Sequence, residues 1–300
     1  VAQGSAGCAL IVCADRMSNG PVVYYPDETA PGGRGITESW TLDNFGHDPY
    51  AKNAMIDTAE NAAARLGIGA AELNEVTLAR YAQYQAALAD DRAFQRRYMV
   101  EAPLFDSGFR RQTGTLAADE GIFPTTAEGL AKLKPVKPNG THTFGTQTHP
   151  ADGNAGMIVT TRELARALSA DSAIEVELLG FGQARVDKGF MPLAPAPAAQ
   201  VALQQAGLSI KDVDAVKTHN PFAANDIAFA RDTGFPLEKM NNYGCSLIWG
   251  HPQGPTGLRS TIELIEELVL RGGGVGLFTG CAAGDSGMAL VLRVREAARK

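Results

Sequence analysis

Cysteine is scarce in this chain. Cys8, Cys13, Cys245 and Cys281 are the only ones in 300 residues. They are too scattered for a disulfide scaffold, and no CxxC pair is present to suggest zinc. Such usage fits a reducing compartment, so a cytoplasmic location is the expectation. No apolar run reaches the roughly 18 residues a transmembrane helix needs. Long basic blocks are also missing, and a formal net charge of −6 argues against generic nucleic-acid binding. Residues 7–14 are apolar but lack the cationic start and cleavage pattern of a signal peptide. The first residue is valine, not methionine. Val1-Ala2-Gln3-Gly4 resembles the last turn of a helix closed by glycine, so further polypeptide is expected upstream.

What is present is ordinary for a globular domain: 45% hydrophobic and 20% charged residues, long enough for a substantial core. Cationic side chains cluster locally at Arg92, Arg96 and Arg97, at Arg110 and Arg111, and at Lys132, Lys134 and Lys137. Each cluster is either solvated surface or a site for an anionic ligand.

The apolar run Cys8-Ala9-Leu10-Ile11-Val12-Cys13 reads as a buried strand, covered on both faces. Residues 22–140 then carry helical spacing at 48–66, 71–89 and 94–100, which reads as an inserted helical subdomain. From residue 156 onward strands and helices alternate. Strands are expected at 156–160, 174–182, 214–218, 275–278 and 288–294, and helices at 163–168, 198–206, 222–231 and 257–270. The pattern predicts a layered α/β fold.

Two turns near the C-terminus carry chemistry. Gly250-His251-Pro252-Gln253-Gly254-Pro255-Thr256-Gly257 offers an imidazole on a glycine-bounded turn ahead of an amphipathic helix. Free N–H groups at that helix start favour negative charge, and the imidazole can donate to a carbonyl oxygen that becomes an oxyanion. Gly280-Cys281-Ala282-Ala283-Gly284-Asp285 offers a thiol among small residues. Their backbone N–H groups are expected to point inward and lower the thiol pKa or hold an oxyanion, with Asp285 facing away. His219-Asn220-Pro221-Phe222-Ala223, at a strand end before a proline-started helix, reads either as an oxyanion-hole supplier or as a structural turn. An imidazole and a thiol on adjacent turns point to carbon or acyl chemistry. His142 and His149 lie seven apart on a Thr/Gly loop without a His-Glu pair, which gives a metal hydrolase little support.

Together these segments resemble the thiolase family, nearly from end to end. Ala14-Asp15-Arg16-Met17-Ser18-Asn19-Gly20-Pro21 looks like the exit from the first domain into the family's loop domain. Asp119-Glu120 and residues 130–135 look like the stretch returning from it. Thr141-His142-Thr143-Phe144-Gly145-Thr146-Gln147-Thr148, with Asp152-Gly153, looks like the segment that passes the pantetheine arm of coenzyme A. His219-Asn220-Pro221-Phe222 occupies the Asn-Glu-Ala-Phe position in the histidine form of sterol-carrier-like thiolases. Residues 250–257 match the histidine motif, and Cys281 falls on the second cysteine.

The resemblance implies an α/β, thiolase-like layered sandwich of two related α/β halves, with a helical loop-domain insertion and an incomplete first half. Residues 1–21 would be the remainder of the N-terminal half and 22–140 the helical, coenzyme A-covering subdomain. Residues 141–172 would return to the N-terminal half, and 173–300 would form the C-terminal half. The implied activity is acyl-CoA C-acyltransfer, the reversible Claisen condensation or thiolytic cleavage of 3-ketoacyl-CoA. His251, Cys281 and His219 would be catalytic. Ala283, Gly284 and Asn220 would support the oxyanion, and Thr148, Gly145 and Phe222 would bind substrate. Coenzyme A thioesters would be substrates, with no further cofactor and no metal. A homodimer or tetramer is implied, and the basic clusters become candidates for the nucleotide phosphates.

The family's nucleophilic cysteine has no match here, so it is expected upstream, and this chain alone is expected to form no thioester. Ala282 and Ala283 stand where the family usually has glycine. Phe123 stands where an arginine often follows Asp-Glu, which bears on a loop-domain ion pair. Two alternatives compete with the enzyme. One is a catalytically idle member that binds acyl-CoA or a partner subunit. The other is a decarboxylating ketosynthase, which would want two histidines and no second cysteine.

Overall fold

In a computed structural model that describes residues 1–296, the strands are β1 (Cys8–Arg16), β2 (Val22–Tyr25), β3 (Ile36–Ser39), β4 (Ala102–Phe105), β5 (Gln112–Leu116), β6 (Asp152–Thr160), β7 (Ile174–Arg185), β8 (Ala215–His219), β9 (Gly273–Ala282) and β10 (Ser286–Glu296). The helices are α1 (Trp40–Gly46), α2 (Met55–Leu66), α3 (Ala70–Ala87), the short turn α4 (Ala89–Arg92), α5 (Ala127–Ala131), α6 (Arg162–Leu168), α7 (Pro195–Gln205), α8 (Ala223–Thr233), α9 (Ser246–Trp249) and α10 (Gly254–Leu270).

The largest sheet runs β7-β10-β9-β8. Only β8 and β9 are parallel; the other neighbours are antiparallel. Alternation along β9 sorts its side chains between two layers. Leu277 joins Ala198, Ala199 and Ala202 of α7 in one core cluster. Phe278 joins Leu264 and Leu268 of α10 in another. Glycine lets α7 descend onto the sheet. A Cβ on Gly182 would come within 2.2 Å of the Ala198 carbonyl oxygen, and one on Gly287 within 2.4 Å of that of Ala194. Any side chain at either place would push the helix off.

β1 pairs antiparallel with β6 in a separate ribbon that touches α10. The expectation that β1 is buried is overturned: Leu10 is 69% and Val12 65% exposed. The run is apolar enough for a covered strand, but β6 is its only paired neighbour among the described residues.

Residues 22–140 contain helices and two unforeseen hairpins, β2–β3 and β4–β5. α2 and α3 pack on the second half of the chain: Ala63, Leu73, Val76 and Tyr84 share a core with Ala223, Ile227 and Trp249. The helix expected over 48–66 starts only at Met55. Asp48 instead folds the chain into a turn, its Oδ1 accepting the Tyr50 and Ala51 amides at 2.8 and 2.6 Å. Asp119 finds its cation away from Phe123. Arg259 of α10 grips it through two bonds of 2.6 and 2.8 Å. Among the described residues, no helix is long and apolar enough to cross a membrane.

Candidate active site

The parallel pair β8–β9 sets the first spacing. His219 ends β8 opposite Gly280 of β9, so Cys281 follows one residue beyond that register point. Both side chains sit at the carboxyl ends of neighbouring strands, where open α/β sheets place their ligands. Gly280 is required there, because a Cβ would stand 2.8 Å from that of His219.

His251 reaches the same place from another direction. It follows α9 through Gly250, whose φ of 96° favours glycine and whose Cβ would meet His149 and Ala151 within 2.9 Å. The His251 amide donates to the His149 carbonyl at 2.8 Å, fixing the turn to the threonine-rich segment. The imidazoles of His219 and His251 stack with centroids 4.2 Å apart and planes 26° off parallel. Nδ1 of His219 faces the Ser246 hydroxyl at 2.9 Å, and Nδ1 of His251 faces the Thr256 hydroxyl at 2.7 Å. Each ring therefore keeps Nε2 for a substrate.

A cavity of about 1080 Å³ opens at this point, lined by His219, His251, Cys281, Ala283, Thr148 and Phe222 among others. Its electrostatics are those of desolvated neutral groups. Burial lowers the pKa of His251 to about 4. Burial, and then the neighbouring His251, hold His219 well below the usual histidine range. Burial also pushes the Cys281 thiol up to about 12, against the expectation that nearby amides would lower it. Asp285 does not reach solvent. It is 2% exposed, its Oδ2 accepts the Gly189 amide at 2.8 Å, and its charge adds to the rise at Cys281.

Three expected site residues lie elsewhere in function. Asn220 is buried in a polar knot rather than turned to the cavity. Its Nδ2 donates to Asp226 at 2.8 Å, and its Oδ1 accepts the Ser246 hydroxyl and the Leu247 amide, both at 3.1 Å. The Gly284 amide is spent on Asp48 Oδ2 at 2.8 Å, so it is not a free oxyanion donor. Gly145 packs under α5, where a Cβ would meet Leu130 at 2.5 Å. The basic clusters also leave the cavity lining. Arg92 bonds the Ala117 carbonyl, Arg96 pairs with Asp91, Arg97 with Glu266 and Lys137 with Asp57. Ser246, Thr256 and Asn225 were not foreseen. Thr256 stands inside the histidine motif, and Asn225 follows Phe222 by three residues, the helix N3 position; Ser246 has no signal beyond its contacts.

Depressed histidines make stability depend on pH. Unfolded, each imidazole titrates near pH 6.5; folded, His251 resists protonation down to about pH 4, and His219, His142 and His149 shift the same way. The unfolded chain binds the extra protons between those limits, so stability is full above the unfolded value and falls as pH drops below it. Urea unfolding between pH 7 and about pH 5 is expected to show a steadily falling midpoint. A flat midpoint would contradict the neutral-imidazole site.

Comparison with known proteins agrees with the geometry. Residues 1–163 match the family description "Thiolase, N-terminal domain" and residues 173–294 match "Thiolase, C-terminal domain". The chain is 35% identical over 252 residues to the 3-ketoacyl-CoA thiolase A, peroxisomal, of Rattus norvegicus, covering 78% of this chain and 57% of the rat protein. It is 31% identical over 248 residues to the 3-ketoacyl-CoA thiolase, mitochondrial, of Homo sapiens, covering 82% of this chain and 61% of that protein. It thus spans little more than half the length of these curated relatives. The crystal structure of human mitochondrial 3-ketoacyl-CoA thiolase in complex with CoA superposes with a TM-score of 0.84 at 28% identity, over 96% of this chain and 71% of that one. The α/β sandwich is therefore the fold. The expectation of a cytoplasmic location is overturned, since these relatives are peroxisomal and mitochondrial proteins.

Proposed function

The chain belongs to the thiolase family, and on that footing we propose that it supplies the acid–base half of an acyl-CoA C-acyltransferase acting on 3-ketoacyl-CoA. One observation carries the reading: two stacked neutral imidazoles and a buried thiol share a single cavity at the carboxyl ends of β8 and β9. A thioester α-proton is only weakly acidic. Its removal needs a strong base together with donors waiting for the enolate oxygen. A thiol pushed to about 12 gives a strongly basic thiolate, and a neutral imidazole donates without bringing a charge that must be desolvated.

In this reading Cys281 removes the α-proton in condensation and returns it to the carbanion in cleavage. His219 and His251 polarise the thioester oxygen through Nε2–H, which in His219 requires the Ser246 hydroxyl to turn from Asn220 to Nδ1. His251 activates the nucleophile in the separate acyl-transfer step, in which its Nε2 is unprotonated. That nucleophile is a cysteine from polypeptide outside these 300 residues: Cys8 and Cys13 lie on β1, and Cys245 is buried against Asn220. Thr148 and Phe222 line the path of the acyl-CoA, and Ala283 borders the thioester. Coenzyme A thioesters are the substrates and no other cofactor takes part. Assembly as a homodimer or homotetramer belongs to the same reading.

The test is acetoacetyl-CoA cleavage by the full-length protein with free coenzyme A supplied. Turnover on the order of 1–10³ s⁻¹ is expected. Binding of coenzyme A thioesters without turnover of short or long 3-ketoacyl chains would replace the enzyme with the idle, acyl-CoA-binding alternative.

A further inference from the structure

Asn225 occupies the N3 position of α8, where its Oδ1 accepts the Phe222 amide at 3.2 Å. An amide side chain has one accepting end and one donating end. Fixing the oxygen on the helix start therefore fixes where the NH₂ group points. It points at Cys281: Nδ2 lies 3.2 Å from Sγ. Asn225 is 2% exposed, so water competes poorly for this contact. A thiol sulfur accepts weakly and a thiolate accepts strongly, so the contact favours the charged form.

Among the described residues, the only other donor that favours the thiolate is the Cys281 backbone amide. Ala59, Met191 and Phe222 pack against it without a side-chain donor. The Arg185 guanidinium lies beside Gly284 and over the Tyr50 ring, not against the sulfur. Asp285, on the same hairpin, opposes ionisation. Asp48 is tied to the Gly284 amide, and Glu60 of α2 to the amides of Thr141 and His142. His219 and His251 stay neutral across the cavity. Burial raises the thiol, and the Asn225 amide pulls it back.

We infer that Asn225 is a positioning residue that orients Sγ of Cys281 and stabilises its thiolate through the Nδ2–H···Sγ contact. The inference rests on the acid–base role proposed for Cys281. In cleavage the S–H proton passes to the α-carbon of the departing enolate, and sulfur keeps the bond pair as a thiolate. Asn225 donates to that pair without giving up its own proton. The thiolate regains a proton from the thiol group of the incoming coenzyme A, whose sulfur becomes the nucleophile of the next step. In condensation the same steps run in reverse.

The experiment measures iodoacetamide alkylation of Cys281 in the full-length protein, resolved by peptide mass spectrometry from neutral to alkaline pH. Exposed Cys8 in the same digest is the internal standard. Asn225→Asp keeps an oxygen for the Phe222 amide but puts a carboxylate against sulfur; Asn225→Ala removes donor and cap together. Below the thiol pKa the rate follows the thiolate fraction. A lost hydrogen bond to a charged group then appears as a drop of about 10- to 100-fold, parallel at every pH. The expected order is parent, then Asn225→Ala, then Asn225→Asp slowest. A purely structural role predicts the opposite order for the two variants, because Asp preserves the cap. Alkylation of Cys281 unchanged relative to Cys8 in either folded variant overturns the inference. Alkylation needs no acyl-CoA, so a parent that fails to cleave acetoacetyl-CoA would sink the thiolase reading and leave this result standing.

Discussion

Replacing Cys281 by alanine in the full-length protein is expected to lower 3-ketoacyl-CoA cleavage by about 10²- to 10⁴-fold, the usual worth of a positioned acid–base group. The substitution removes one sulfur from the wall of an open cavity. It leaves the β8–β9 ladder and the two imidazoles in place, so coenzyme A binding should change little and the loss should appear in kcat. His251→Ala is expected to cost a similar factor, because that ring both activates the nucleophile and donates to the oxyanion in the proposed mechanism. Groups that act as a unit in one reaction are not additive, so the double variant should be scarcely worse than either single one. Parental turnover in both single variants would remove the chemical role from this pair of turns.

The second large effect concerns stability. Arg80 of α3 is 1% exposed, and its Nε donates to Asp226 Oδ2 at 2.7 Å. Its remaining nitrogens serve the Met240 and Leu237 carbonyls at 2.9 and 3.0 Å. Asp226 is fully buried on α8 and also accepts from Thr218 at 2.6 Å, Asn220 at 2.8 Å and Asn241 at 3.1 Å. Arg80→Met should cost about 3–5 kcal/mol, because it leaves a buried carboxylate without its cation. Such a loss is a large share of the ~5–15 kcal/mol that holds a typical domain together. Urea titration should show the midpoint falling sharply. Adding Asp226→Leu should recover part of it, since the stranded charge is then gone. A midpoint within error of the parent in Arg80→Met would mean that Arg80 is not needed to hold Asp226.

Much of the second half was legible because its elements are specified locally. The strands expected at 275–278 and 288–294 exist but run longer, as Gly273–Ala282 and Ser286–Glu296. Glycine hid the true ends: a Cβ on Gly274 would stand 2.7 Å from Asp214 and one on Gly280 2.8 Å from His219, so these residues make room for their neighbours rather than stop a strand. The histidine and thiol motifs were legible because each joins an uncommon side chain to a turn with restricted backbone. Burial was not legible. Leu10 and Val12 look like core residues, yet what covers a strand depends on chain far away in sequence. Hydrogen-bond direction was no clearer. Asn220 and Asn225 are alike in the sequence, but Asn220 is consumed by Asp226 and Ser246 while Asn225 meets the thiol. The pKa of Cys281 failed for the same reason: small neighbours allow amides to approach, but they also let apolar side chains close over the sulfur.

The parallel register that sets His219 opposite Gly280 has an evolutionary corollary. A strand ladder admits no half-steps: inserting or deleting one residue in either rung would turn its functional side chain to the other face. Loops around the cavity carry no such constraint, whereas the spacing between His219 and Cys281 is a property of two neighbouring backbones.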